Sequence, residues 1–358
     1  MWMFDGHLDL AMNALLYDRD LTQSVAAIRQ REAAVTDEEP GLCTLTLPEM
    51  AAAKVRLCTG TLIARVRDQP AERKPLRHDL DFVSPAIAHS VVMGQLAWYH
   101  EMQRLGQLRI IDHQRALAAH LAATDDLLGV ILMMEGADPI VTPEQVHGWF
   151  TRGLRCLSLA HFGPGRHALG THSPEVADTG LTELGRELLG QMNGLPMMLD
   201  LTHLSDASLF AALDHFRGAV CATHANCRAL SNSQRQLTDD MIRQIAQRGG
   251  VIGVVMHDQM LRHIDPATRP TYRQDISLET VADHIDHIAQ VTGSLQHAAL
   301  GSDLDGGFGA ERCPLGLDTI ADLPKLEAVL RRRGYGDEEI AGIFHENWLR
   351  LWKRVLPG

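Results

Sequence analysis

What most constrains this chain is a repeat of form: a short apolar run, a polar residue at its end, then a stretch with helical spacing. The clearest run, Leu127-Leu128-Gly129-Val130-Ile131-Leu132-Met133-Met134, is apolar without alternation, which predicts a strand buried on both faces. It ends in Glu135-Gly136. The pattern then recurs: helix 143–152 and strand 154–159, ending Ala160-His161; helix 182–193 and strand 196–201, ending Thr202-His203. Helix 205–215 leads to strand 219–222, ending Thr223-His224, and helix 238–248 leads to strand 251–255. Helix 278–291 precedes strand 298–300, which runs into Gly301-Ser302-Asp303-Leu304-Asp305-Gly306-Gly307, and helices near 320–333 and 337–356 close the chain.

Upstream, an apolar opening carries Asp5-Gly6-His7-Leu8-Asp9, a strand is expected over 55–64, and Pro85 opens a helix that stops near Gly106. A short strand and helix follow to Ala123; residues 18–40 are charged, weakly periodic and carry little chemical signal, and the Pro70- and Pro75-containing segment 68–81 reads as a surface loop. Strands alternating with helices imply parallel pairing through right-handed crossovers, and about eight such units imply a closed (β/α)8 TIM barrel. No Gly-x-Gly-x-x-Gly follows the first strand, so a dinucleotide-binding open sheet has no support. One barrel accounts for the 358 residues, giving an α/β architecture with a single domain over 1–358.

Composition narrows the partners. A formal net charge of −12 opposes a surface built to neutralise phosphates, so no nucleic acid is expected. No apolar run reaches membrane-spanning length, and, with residue 1 as the true start, no leader is expected ahead of the first strand. Cys43, Cys58, Cys156, Cys221, Cys227 and Cys313 lie far apart without a Cys-x-x-Cys pair, which fits free thiols. The expectation is a cytoplasmic protein without membrane association.

The polar strand ends carry the chemistry. In an extended segment, side chains two apart share a face, so His7 and Asp9 can converge. Glu135, His161, His203, His224 and Asp303 also follow apolar runs, where the catalytic face of a barrel lies. Imidazoles and carboxylates suit zinc, and two zinc ions can share one carboxylate. His7, Asp9, Glu135, His203 and His224 form a sufficient ligand set, with Glu135 as the bridge because an ionised carboxylate at the end of so apolar a strand needs compensation. Read singly, His203 and His224 could instead be polar residues opening helices, His161 a loop histidine, Asp303 and Asp305 turn carboxylates, and Arg235 a solvated side chain; His167 and His172 read as surface residues.

Together, Asp5-Gly6-His7-Leu8-Asp9, Glu135-Gly136, Leu201-Thr202-His203-Leu204-Ser205, Thr223-His224-Ala225, Arg235 and Gly301-Ser302-Asp303-Leu304-Asp305-Gly306 resemble the membrane (renal) dipeptidase family of binuclear zinc peptidases, a branch of the amidohydrolase-like barrels. The likeness runs in order from about Phe4 to the carboxy-terminal helices. It implies that His7, Asp9 and Glu135 hold one zinc and Glu135, His203 and His224 the other. It further implies that His161 touches the substrate carbonyl or oxyanion, Arg235 grips the terminal carboxylate and Asp303 handles the proton of the attacking water. Where the family commonly has Ser-His-Ser and a loop such as Asn-Phe, this chain has Thr223-His224-Ala225 and Met256-His257, which bears on substrate preference.

The expected activity is hydrolysis of dipeptides with a free carboxy terminus by a hydroxide shared between two zinc ions. The resemblance adds tolerance of a D-residue at the carboxy-terminal position and a possible homodimer. Two alternatives stay open: a lactone or non-peptide amide as substrate of a related metal hydrolase, and a non-catalytic metal-binding protein. The first loses ground because strand one offers His-x-Asp, and Lys54, Lys74, Lys325 and Lys353, the only lysines, fall in loops or helices rather than in a bridging position.

Overall fold

The computed structural model describes residues 1–33, 41–67, 80–173, 179–263 and 276–358. Most of the loop expected over 68–81, and the end of the charged segment 18–40, fall outside the described residues.

Among the described residues eleven strands are found: β1 (Met3–Leu8), β2 (Val55–Ile63), β3 (Arg65–Val66), β4 (Asp81–Phe82), β5 (Leu108–Ile110), β6 (Leu128–Glu135), β7 (Leu154–Ser158), β8 (Met198–Asp200), β9 (Ala219–Cys221), β10 (Ile252–Val254) and β11 (Ala298–Leu300). A parallel ladder runs β1-β2-β6-β7-β8-β9, with β5 paired to the first half of β6. β10 and β11 form a separate parallel pair, and β3 and β4 another. The sheet curls into a half-barrel, and the β10–β11 pair lies against both of its ends. On one side Ala222 bridges Ile252, and on the other the Asp303 N–H donates to the carbonyl of His7 at 3.2 Å. The ladder itself is not an uninterrupted ring of eight.

Two apolar layers hold this sheet. In β6, Val130, Leu132 and Met134 pack with the surrounding helices, while Ile131 and Met133 belong to a second cluster with Phe4, Leu57, Met198, Trp348 and Trp352. Period-two alternation therefore puts Glu135 on the face of Ile131 and Met133. The helix Asn347–Val355 packs its indoles on that face, and Trp348 Nε1 donates to the Leu300 carbonyl at 2.7 Å.

Helix starts are set locally. Ser84, Thr182, Ser205 and Thr238 each accept a backbone N–H at the start of Pro85–Arg104, Glu183–Met192, Asp206–His215 and Asp239–Gln247, and each such cap contributes about 1 kcal/mol. In Pro85–Arg104 the buried Ala88, Val92, Leu96 and Tyr99 recur at helical spacing. All six cysteines are buried free thiols. No helix of the described residues is long and apolar enough to cross a membrane.

Candidate metal centre

The carboxy-terminal ends of the strands bring the expected residues together. His7 lies in β1 with Asp9 just beyond, Glu135 closes β6, and His203, His224 and Asp303 follow β8, β9 and β11. All six are buried. Ligand atoms of His7, Asp9 and Glu135 lie within 4.8 Å of one another, as do those of Glu135, His203 and His224, and those of His7, His224 and Asp303.

Glu135 stands at the centre. One carboxylate oxygen is 3.5 Å from His7 Nε2; the other is 3.1 Å from His203 Nε2, 3.4 Å from His224 Nε2 and 3.8 Å from His161 Nε2. Burial alone would raise its pKa, but the neighbouring imidazoles, His7 foremost, hold it well below the usual carboxylate range. Burial and the charge of Glu135 push Asp9 up to about 6, against His7. Burial, with Asp9 and Glu135 behind it, raises Asp303 well above its ordinary value. His7 goes the other way: burial would lower it, but Glu135, Asp9 and Asp303 push it up to about 10.

This arrangement fits a cation. His7 Nε2 is buried without a hydrogen-bond partner and faces Asp9 at 3.9 Å, Glu135 at 3.5 Å and Asp303 at 3.8 Å. Arg235 Nη2 lies 3.2 Å from His203 Nε2, and a guanidinium can only donate, so that nitrogen accepts. Its proton is therefore on Nδ1, where it has no partner. His203 Nε2, His224 Nε2 at 3.0 Å and Glu135 Oε1 crowd together, and each is an atom that can ligate a metal. Burial pushes His203 down to about 3 and His224 well below its ordinary value, with Arg235 adding to both, so protonation does not relieve the crowding. Mixed imidazole and carboxylate donors at these separations suit zinc.

Two further residues are brought to the cluster. His161 Nδ1 sits 3.0 Å from Arg65 Nη1 and must accept, so the neutral ring carries its proton on Nε2, toward Glu135. Burial, reinforced by His203, keeps His161 neutral. Arg235 is buried, and its Nη2 donates to the His224 carbonyl at 2.8 Å, while Nε and Nη1 have no partner among the described residues. Each of those two groups still has a hydrogen to donate to an acceptor such as a carboxylate oxygen.

Backbone strain marks the same place. His203 has φ 67° and Asp303 φ 58°, left-handed values that cost an L-residue roughly 1–2 kcal/mol each. Sequence reasoning missed Arg65, which no motif distinguished from other arginines, and Thr223 as a contact of both His7 and His224. It also misplaced His167, expected at the surface and found fully buried; His172 is exposed as expected. Asp305 is not a turn carboxylate but a buried tie to Thr44 and Leu45.

Comparison with known proteins matches residues 1–356 to the family described as membrane dipeptidase, peptidase family M19. An uncharacterised dipeptidase of Schizosaccharomyces pombe is 30% identical over 221 residues, which are 62% of this chain but only 51% of that relative. Among solved structures, a dipeptidase described as a metallopeptidase of family M19 superposes with TM-score 0.78 at 25% identity, covering 100% of this chain and 99% of that one. A metallopeptidase from Rhodobacter sphaeroides, liganded with a phosphinate mimic of the dipeptide L-Ala-D-Ala, superposes with TM-score 0.78 at 24% identity and covers 99% of each chain.

Proposed function

The chain belongs to the membrane dipeptidase family, peptidase family M19, and from that premise we propose that it is a zinc-dependent dipeptidase that cleaves the amide bond of substrates with a free carboxy terminus. The observation that carries this reading is Arg235: a buried guanidinium beside the ligand cluster with Nε and Nη1 unpartnered. A fully paired arginine would be structural; this one has two donors left for a carboxylate.

His7, Asp9 and Glu135 would hold one zinc and Glu135, His203 and His224 the second, with Glu135 shared. Two zinc ions, when bound, would polarise the amide carbonyl and make water between them more acidic. Asp303 is the group to take a proton from the attacking water and pass it to the departing amine, since a carboxylate with a raised pKa can act first as base and then as acid. His161 points its Nε2–H inward, because Arg65 occupies Nδ1, and so can donate to the carbonyl oxygen as negative charge develops there. Arg235 fixes the distance between the carboxylate and the scissile bond, which favours dipeptides over longer peptides.

We extend the reading to a D-residue at the carboxy-terminal position, with the L-Ala-D-Ala mimic on the Rhodobacter sphaeroides structure as support. The finer architecture belongs here too: a closed (β/α)8 barrel in one domain, its metal site at the carboxy-terminal ends of the strands.

The test is amino-acid release from L-L and L-D dipeptides, a tripeptide and an amidated dipeptide by zinc-loaded protein. Hydrolysis should be confined to dipeptides with a free carboxylate. Arg235→Ala should lower kcat/KM for these by roughly 10²-fold or more, with two zinc ions retained. Unchanged kinetics would remove Arg235 from the site, and a protein that holds zinc but cuts no dipeptide would redirect the search to lactones and other amides.

A further inference from the structure

Beneath the ligand cluster lies a side-chain network that none of the roles above uses. Asp200, at the end of β8, is fully buried. One of its oxygens accepts from the Thr202 N–H at 3.0 Å, the Thr202 hydroxyl at 2.7 Å and the Thr223 N–H at 2.9 Å. The other lies 2.7 Å from the Thr223 hydroxyl oxygen. That same hydroxyl oxygen is 3.1 Å from His7 Nδ1 and 3.0 Å from His224 Nδ1.

A hydroxyl has one proton to give and two lone pairs to receive with. An ionised carboxylate only accepts, and it is the nearest of the three partners, so the Thr223 proton goes to Asp200. The Thr202 proton is already committed to the other Asp200 oxygen. Both imidazoles must then donate to Thr223, which places a proton on each Nδ1, so that the neutral form of either ring has its lone pair on Nε2. Those two Nε2 atoms face Glu135 at 3.5 and 3.4 Å.

The position of Thr223 is set by its backbone as well. A Cβ added at Gly253 would lie 2.0 Å from the Thr223 carbonyl oxygen, and one at Gly301 would lie 1.9 Å from it. Glycine at both places lets the strand end carrying Thr223 press inward between its neighbours. The hydroxyl is thus held from both sides, by Asp200 and by the close-packed main chain.

We propose that Thr223, anchored by Asp200, is a positioning residue that holds His7 and His224 in the Nδ1–H tautomer, so that one hydroxyl aligns a ligand nitrogen for each of the two metal positions. This rests on the reading of His7 and His224 as metal ligands. Its consequence is a shared dependence: a change at one residue that touches no metal should weaken both positions.

The experiment titrates zinc into metal-free protein against a chromophoric chelator, comparing the parent with Thr223→Val, Thr223→Ser and Asp200→Asn. Thr223→Val should weaken both positions by about 10- to 100-fold, and Thr223→Ser, which keeps the hydroxyl, should bind like the parent. Asp200→Asn preserves the shape and keeps its oxygen on the three other donors, so its amide turns toward Thr223 and donates. The hydroxyl proton must then go to one imidazole, whose own proton moves to Nε2; one zinc should weaken while the other stays tight. Two tight zincs in both Thr223→Val and Asp200→Asn would overturn the proposal and leave the dipeptidase reading standing. A parent that binds no zinc would defeat the metal reading instead. The tautomer is then decided by the nitrogen-15 spectrum of histidine-labelled, metal-free parent: a His224 protonated on Nδ1 upholds the proposal, and one protonated on Nε2 overturns it. That spectrum also decides the matter should Thr223→Val fail to fold.

Discussion

Asp303 and Asp305 stand two residues apart in the loop after β11, both buried and both at positive φ, 58° and 60°, yet their surroundings are opposite. Asp305 is saturated: it accepts from the Thr44 N–H at 2.8 Å, the Thr44 hydroxyl at 2.6 Å and the Leu45 N–H at 3.2 Å, with Arg19 Nη1 at 3.4 Å. Arg19 is itself tied to Glu32, Asn13 and the Gly41 carbonyl. Asp303 meets His7 only at 3.8 Å and shares its space with Asp9 and Glu135, two like charges. Asp305 joins distant parts of the chain, whereas Asp303 is kept where burial and two like charges raise its pKa. A structural tie and a carboxyl left without such ties thus lie within three residues of sequence.

The largest expected effect sharpens that contrast. Asp303→Asn should lower kcat by about 10²- to 10⁴-fold, with metal content kept and the thermal stability of the metal-free protein equal to the parent or above it, because a carboxyl buried beside Asp9 and Glu135 is replaced by a neutral amide. A fall in Tm together with unchanged turnover would reverse the assignment of the two aspartates. Next comes Asp305→Ala, which strips a buried Arg19 of one of its acidic partners and leaves the Thr44 donors unmet. Chemical denaturation should register a loss of about 3–5 kcal/mol, while kcat per folded molecule at low temperature stays near that of the parent. Loss of turnover without loss of stability would place Asp305 in the reaction.

How far the sequence could separate these two aspartates is instructive. Order and type of elements were legible because apolar runs such as 127–134 are continuous and helical spacings such as 85–105 are periodic, and the structure places elements there. The ligand cluster was legible because polar residues kept falling at strand ends, and a parallel α/β sheet gathers those ends on one side. What a one-dimensional pattern cannot contain is the partner. Asp305 looked like a turn carboxylate because its donors come from Thr44, 261 residues away. Arg65 resembled any other arginine until the fold set it against His161. Thr223 read as a neighbour of a ligand, and its contact with His7 spans 216 residues. Positive φ at His203 and Asp303 was equally hidden, since neither residue type announces it.

His167 extends the comparison to a buried group with neither ties nor a reaction to serve. It is fully buried, neither ring nitrogen has a hydrogen-bond partner among the described residues, and burial, helped by Arg166, pushes its pKa down to about 3. The folded pKa lies below the unfolded value of 6.5, so between the two the unfolded chain takes up a proton that the folded chain refuses. The contribution is absent above about pH 6.5 and becomes a growing penalty as pH falls toward 3, reaching about 4 kcal/mol in order of magnitude. His167→Leu removes the titrating group without breaking a hydrogen bond, so it should change stability little at pH 7.5 and shift the acid unfolding midpoint downward. His284, pushed down to about 4 by burial, keeps its own share of acid sensitivity, so the shift is partial. If the acid midpoint of His167→Leu coincides with that of the parent while stability at pH 7.5 falls by several kcal/mol, His167 is a tie like Asp305 after all, with partners that form only in solution.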